Sequence, residues 1–230
     1  TKTKEERRGE RGEEGEERRK QNPKKVDVRS LQAIIANYLD KPAEAERELI
    51  RAIEECDEAL RARMQLVRHY VAQKRASDAL ACCLTACAQH AEVAEPWLYL
   101  SSLNIRNGQY KAAAQCVRQG LETAVGQWER RDLTIQLALV ELSYLDRDEG
   151  IGLLEALAAQ DDQEVRARLL LLNMQKIQQD PDRAETLIEE LRTAEGDSGL
   201  YWRLHQASLW LESERWRSRQ MDITERLKHC

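Results

Sequence analysis

The stretch EPWLYLSSLNIRNGQYKAAAQCVRQGLETA, residues 95–124, predicts two amphipathic helices joined by a tight turn. Trp97 and Ser101 stand one helical turn apart in the first half, and Gly108 supplies the backbone freedom that a tight turn needs. The second half carries a small residue, Ala113, in its apolar stripe. Small side chains on both helices allow close approach, so the stretch indicates an antiparallel helical hairpin.

This hairpin recurs along the chain with a period of 34 residues. The small residue of the second helix returns as Ala45, Ala79 and Ala113 and, after three extra residues, as Gly150, Ala184 and Ser218. We expect the three extra residues at Trp128, Glu129 and Arg130. A single hairpin cannot bury both of its faces, so a fixed period of this length predicts a stack of hairpins.

The units on either side of residues 95–124 keep the helical pattern less closely. In the first unit, which starts at Val26, Asp40-Lys41-Pro42 ends one helix and Pro42 suits the first turn of the next. The apolar residues of its two helices fall on single faces, Leu31, Ile34, Ile35 and Tyr38 on the first and Ala45, Leu49, Ala52 and Ile53 on the second. The later units show the same stripes, with Leu133, Leu137, Val140 and Tyr144, then Leu171, Leu172, Ile188 and Leu191, then Trp202, His205 and Leu209.

Composition excludes several classes of protein. Charged residues make up 33% of the 230 residues and Phe is absent, while Ala, Leu, Glu, Gln and Arg are abundant, which favours an all-α chain. Residues 26–230 carry 26 basic and 34 acidic side chains, which argues against nucleic-acid binding. The longest unbroken apolar run, Ala79 to Leu84, is far too short to span a membrane.

Residues 1–25 have a different composition from the rest of the chain. They include ten basic and seven acidic residues, three glycines and no large apolar side chain. Such a segment cannot bury apolar surface, so it is predicted to be a disordered charged tail or linker. The helical units then occupy residues 26–230. The first residue is Thr and no polar capping helix follows the last hairpin, so we expect this array to be part of a longer one.

Residues 95–124 resemble a tetratricopeptide repeat (TPR). Trp97, Leu100, Ser101, Gly108, Tyr110 and Ala113 occupy characteristic positions of that family, whereas Asn104 stands where Tyr or Leu is usual and Gly120 where Ala is usual. The resemblance implies a right-handed α-solenoid of about six antiparallel helix-turn-helix repeats over residues 26–230. It also implies a protein-interaction scaffold or adaptor, without a cofactor, that binds a peptide or partner subunit in a concave groove.

In the TPR family, the first helix of each hairpin lines that groove. Carried over to this sequence, the resemblance nominates eleven groove residues: Arg61, Met64, Arg68, Leu98, Ser102, Arg106, Arg166, Asn173, Lys176, Arg203 and Trp210. This set mixes basic and apolar side chains and suits an extended peptide with acidic and apolar residues. The TPR pattern that clamps a chaperone's terminal carboxylate is absent, because Met64, Tyr99 and Leu204 replace its polar residues.

The cysteines have two interpretations. Cys83, Cys87 and His90 share a helical face near Cys82, with Cys116 one hairpin later, which is a spacing that could hold a metal. Free cysteine also packs as a small hydrophobe, and this interpretation is favoured because Cys83 and Cys87 fall at packing positions of the repeat. Irregular spacing argues against a disulfide framework and favours free thiols in a reducing, cytoplasmic compartment.

No constellation typical of an enzyme is visible in these residues. The histidines are scattered singly, and Gly150 and Gly152 lie in a helical stretch and not in a phosphate-binding loop. Four alternatives remain beside the groove-binding scaffold or adaptor. They are a regulatory or positioning domain of a larger enzyme, a helical-repeat RNA binder, a self-associating chain joined through a terminal hairpin with Trp210 and Trp216, and a structural bundle with accidental periodicity.

Overall fold

The structure, a computed structural model, describes residues 23–56, 59–212 and 216–228. All regular elements within these ranges are helices. The first helix begins at Pro23, inside the segment expected to form the tail; residues 1–22 of that segment lie outside the described ranges.

The chain divides after Gly126 into two compact units. In the first unit, each helix packs chiefly on the helix before it and the helix after it, which gives three consecutive hairpins. The hairpins are α1 (Pro23–Tyr38) with α2 (Pro42–Glu55), α3 (Leu60–Ala72) with α4 (Ala76–Gln89), and α5 (Ala94–Arg106) with α6 (Tyr110–Thr123).

The second unit continues the pattern with three more hairpins. They are α7 (Gln127–Tyr144) with α8 (Arg147–Gln160), α9 (Val165–Leu172) and the short α10 (Gln175–Gln178) with α11 (Pro181–Glu195), and α12 (Leu200–Glu212) with α13 (Gln220–Leu227). The extra residues expected near Trp128 lengthen α7 at its N-terminal end. The helices of the described residues therefore form an all-α solenoid with six helix-turn-helix repeats, as the period predicted.

The small residues that set the period lie where two helices of a hairpin meet. Ala45, Ala79 and Ala113 are completely buried, and Ala184 is nearly so. At Gly150 of α8 an added Cβ would lie 2.6 Å from Cγ of Leu142 and 2.9 Å from the carbonyl oxygen of Ala138. A larger side chain at these positions would force the helices apart.

A pair of alanine substitutions in α8 tests this explanation. Gly150→Ala should lower the free energy of unfolding by about 1–3 kcal/mol, because its Cβ meets the backbone of α7. Gly152→Ala in the same helix should raise it by about 0.5–1 kcal/mol, because its Cβ meets nothing within 4 Å and glycine is a poor helix former. Urea unfolding of both variants measures the two changes, and equal signs would contradict the assigned contact.

The last hairpin departs from the 34-residue step. Ser218, expected at its close-contact position, lies exposed in a 3-10 turn (Trp216–Arg219), and α13 starts only at Gln220. The buried residues of this hairpin are instead Trp202 and Ala207 on α12 and Ile223 on α13. The prediction for Ser218 is therefore wrong, because the chain inserts a turn before the second helix.

The first helix packs through its small residues. Ala33 and Ala36 of α1 are buried, whereas the face with Leu31, Ile34, Ile35 and Tyr38 is exposed. Arg29 fixes this orientation, because its guanidinium donates hydrogen bonds to Glu48 at 2.8 Å and Glu55 at 2.5 Å on α2. The four apolar residues share a face, as expected, but that face has no neighbour among the described residues.

One hairpin of each unit contains a buried tryptophan whose indole N–H is hydrogen-bonded. Trp97 of α5 and Trp202 of α12 are buried, and each indole N–H donates to a backbone carbonyl six residues earlier, Ala91 at 2.9 Å and Gly196 at 3.0 Å. Trp97 also packs against Gly120 of α6, where an added Cβ would lie 2.7 Å from the ring. Gly120, a departure from the usual alanine, thus makes room for the indole.

A buried arginine closes the C-terminal end of α8. The guanidinium of Arg168, on α9, donates hydrogen bonds to the backbone carbonyls of Ala158, Asp161 and Glu164 at 2.7–3.0 Å. Its Nε also lies 3.2 Å from the carboxylate of Glu190 on α11. One side chain therefore ties together three helices and satisfies carbonyls that a helix end leaves unpaired.

Candidate peptide-binding surface

On α3, the expected groove residues have different surroundings. Arg61 and Arg68 are exposed, but Met64 is completely buried. The expectation that Met64 lines an open groove is therefore wrong. Burial of its flexible thioether side chain stabilises the core, and the buried side chain cannot contact a ligand. Arg61 has no ion pair among the described residues, so its guanidinium is free to contact a ligand.

Arg68 joins α3 to α5 instead of pointing freely to solvent. Its guanidinium lies 2.7 Å from the carboxylate of Glu95 and 5.8 Å from the ring centre of Tyr99. On α5, Leu98 is half-buried, and Ser102 donates its hydroxyl to the carbonyl of Leu98 at 2.9 Å.

Arg106 ends α5 and is exposed without an ion pair in the described ranges. Arg61 and Arg106 are therefore two exposed guanidinium groups of the first unit that have no ion pair among the described residues.

In the fifth repeat, two candidate residues make intramolecular hydrogen bonds and a third lies outside the first helix. Arg166 of α9 pairs with Asp132 of α7 at 3.0 Å, and the Asn173 amide donates to the carbonyl of Leu169 at 2.9 Å. The first helix ends at Leu172, so Lys176 belongs to the separate helix α10 and not to the expected continuous helix. This break weakens the expectation that Asn173 and Lys176 continue one groove wall.

The last hairpin brings two candidate residues into one cavity. Arg203 and Trp210 of α12 line a cavity of about 610 Å³ together with Asp222, Glu225 and Arg226 of α13. The ring of Trp210 also lies 4.9 Å from the guanidinium carbon of Arg219. The cavity thus combines an aromatic surface with two cationic and two anionic groups.

Arg203 has an unmet hydrogen-bond donor beside this cavity. One terminal nitrogen donates to the carbonyl of Asp197 at 2.6 Å, but its Nε is buried and has no partner among the described residues. Arg192 hydrogen-bonds the carboxylate of Asp197 at 2.7 Å and lowers the pKa of Asp197, with Arg203 and Arg226 adding to the effect. The guanidinium groups of Arg203 and Arg226 both line the cavity, and such groups suit a carboxylate or carbonyl oxygen of a ligand.

Sequence reasoning missed Asp222, Glu225 and Arg226 because it assigned the groove to first helices only. The one available signal was the apolar spacing of Ile223 and Leu227, which places these three polar residues beside the buried stripe of α13. The repeat pattern also does not predict the 3-10 turn that precedes α13.

Three of the described cysteines lie in the core. Cys83, Cys87 and Cys116 are buried, and the thiol of Cys83 lies 3.4 Å from the carbonyl of Pro96. Burial raises the pKa of Cys82 and of Cys116 to about 11, so both stay protonated and poorly nucleophilic at neutral pH. Among the described residues, no group of three or more His, Cys, Asp or Glu side chains is placed to hold a metal ion.

His69 is a core residue. Its Nδ1 lies 3.1 Å from the Asn37 amide oxygen, and burial lowers its pKa, opposed by Glu46 and reinforced by Arg75. It therefore links α3 to α1 as a neutral ring. Across the described ranges, helices that combine the length and the apolar character needed to cross a bilayer are absent.

Comparison with solved structures identifies similar folds at low identity. The chain is similar to PilF from Pseudomonas aeruginosa, with a TM-score of 0.58 and 14% identity over 87% of each chain. A tetratricopeptide repeat protein from Parabacteroides merdae gives 0.55 and 13% over 89% of this chain and 78% of that one. A thermophilic TPR protein from Thermus thermophilus gives 0.50 and 18% over 81% and 99%. No protein-family model and no curated protein matches the chain.

Proposed function

Because this chain has the tetratricopeptide-repeat fold, we propose that it is an interaction scaffold that binds an extended segment of a partner protein. TPR-fold neighbours support protein interaction as the general role. The cavity of the last hairpin carries the more specific proposal, because Arg203 and Trp210 were nominated from the repeat pattern and both line it. The proposal assigns no catalytic activity to these residues. It places the chain in a reducing, cytoplasmic compartment, because the irregular cysteine spacing does not suit a disulfide framework.

The chemistry of the cavity selects the peptide. The guanidinium of Arg203 suits a carboxylate, and the Trp210 ring suits an apolar side chain beside it. Asp222 and Glu225 disfavour a run of acidic residues, because a second carboxylate would meet like charge. The proposed ligand is therefore an extended segment in which an acidic residue neighbours an aromatic or aliphatic one.

Peptide binding to the full chain tests this proposal. A randomised peptide array should yield binders with the acidic–apolar pattern, and Arg203→Glu should weaken the best of them by about tenfold or more, measured by fluorescence polarisation. Trp210→Ala should weaken it through loss of the apolar contact. Arg147→Glu is the matched control, because Arg147 is exposed on α8, outside the cavity, and should leave binding unchanged.

Two results would contradict the proposal. One is an array without acidic–apolar binders, and the other is equal binding by wild type and Arg203→Glu. Loss of binding in Arg106→Glu with retention in Arg203→Glu would place the peptide on the first unit instead.

A further inference from the structure

The exposed face of α1 is larger and more regular than scattered surface hydrophobics. Six large apolar residues on α1 and just after it are about half exposed or more, with Tyr38 at 90%: Val28, Leu31, Ile34, Ile35, Tyr38 and Leu39. Together they present roughly 650 Å² of apolar surface, whereas the largest such patch on a monomer is usually about 300–600 Å² and often functional.

Four of these residues follow the spacing of paired helices. Val28, Leu31, Ile35 and Tyr38 are separated by three, four and three residues, which is the seam spacing of helices in a coiled coil. Ile34 and Leu39 flank this seam. The face is therefore shaped to receive another helix.

The later repeats show what this face normally does. One repeat after Val28 and Ile35 stand Ala62 and His69 on α3, and both are buried where the preceding hairpin packs. On α5 the equivalent Leu103 is buried as well. Val28 and Ile35 thus occupy positions by which a later hairpin joins its predecessor, and on α1 both are exposed.

We propose that a second copy of this chain covers it, through an isologous contact between the two α1 helices. The segment from Ser30 to Leu39 contains no charged residue, so two copies can meet without like-charge repulsion. The charge of Arg29 is held by Glu48 and Glu55 on α2. Residues 1–22 of the same chain carry no large apolar side chain with which to cover the seam.

The available area fits a dimer. Each copy contributes roughly 650 Å², and a standard protein interface takes about 800 Å² from each partner. The core of such an interface is apolar and poor in charge, as this face is. The proposed contact uses none of the residues that line the peptide cavity.

Analytical ultracentrifugation of the full chain in reducing buffer tests the proposal, because reduced thiols cannot join two chains. Wild type should sediment with twice the mass of one chain as concentration rises. The double variant Leu31→Glu and Ile35→Glu should raise the dimer dissociation constant by about a hundredfold or more. Both positions are exposed in the single chain, so circular dichroism should show unchanged helix content.

Leu84→Glu is the matched control, because Leu84 on α4 is 55% exposed and Leu31 is 58% exposed. It should leave the dimer intact. A wild-type chain that stays monomeric would overturn the proposal, and so would a dimer that survives the double variant. Hydrogen exchange of residues 28–39 in the wild type gives a second measurement: it should slow as concentration rises, and exchange independent of concentration would overturn the proposal without any substitution.

Discussion

Arg168→Ala should lower the free energy of unfolding by about 3–5 kcal/mol, because it breaks a buried charge-assisted network. The substitution removes hydrogen bonds to three backbone carbonyls and to Glu190 at once. The carbonyl of Ala158, in the last turn of α8, would lose this donor, whereas the carbonyl of Asp161 would keep the backbone N–H of Glu164 at 3.0 Å. A buried acceptor without a partner costs about 1–3 kcal/mol by itself.

Urea unfolding followed by circular dichroism measures this loss against two controls. Arg183→Ala removes a half-exposed arginine that also approaches Glu190, at 3.9 Å, and should cost about 1 kcal/mol or less. Arg168→Lys keeps the charge but cannot supply the fork of donors, so its loss should fall between the two. A loss for Arg168→Ala no larger than that for Arg183→Ala would show that the carbonyl contacts contribute little.

Trp97→Ala should lower the free energy of unfolding by a similar amount, about 3–5 kcal/mol. The indole fills the space beside Gly120, which has no side chain to occupy the cavity that truncation would leave. The substitution also leaves the carbonyl of Ala91 without the indole N–H. Because a glycine backbone cannot repack to fill this volume, we expect a loss at the upper end of the range.

Trp128→Ala is the control for this prediction. Trp128 is 69% exposed and its ring lies 4.4 Å from the guanidinium carbon of Arg131, so its truncation should cost about 1 kcal/mol or less. Circular dichroism is the appropriate signal, because each variant removes a fluorophore. Equal losses in the two variants would contradict the packing of Trp97 on Gly120.

The sequence predicted those parts of the fold that steric contact imposes. A small side chain is required where two helices meet, as at Ala45, Ala79 and Ala113. The spacing of these residues therefore revealed the period of the repeat. The prediction for Ser218 was wrong because one inserted turn shifts the start of α13 without changing the apolar pattern around it. The face of α1 was visible in the spacing, but periodicity identifies a face and not its neighbour.

The candidate site was harder to predict than the fold. Met64 was nominated by its place in the repeat, yet its side chain is free to turn inward and gains by burial. Arg68 and Arg166 were nominated as groove residues and both are exposed, but each has an acidic partner on a neighbouring helix that a one-dimensional pattern does not reveal. Long charged side chains reach across helices, so their availability depends on the three-dimensional arrangement.

The packing of each helix on its neighbours in sequence has a consequence for folding kinetics. Within a unit, most contacts close short loops, and chains with such low contact order fold quickly. The described ranges contain no strands, so the first hairpin does not have to wait for distant strands to pair. Folding can therefore start at whichever hairpin forms first and spread to its neighbours, and the hairpin of α5 and α6, with its indole seated against a glycine, is a natural nucleus.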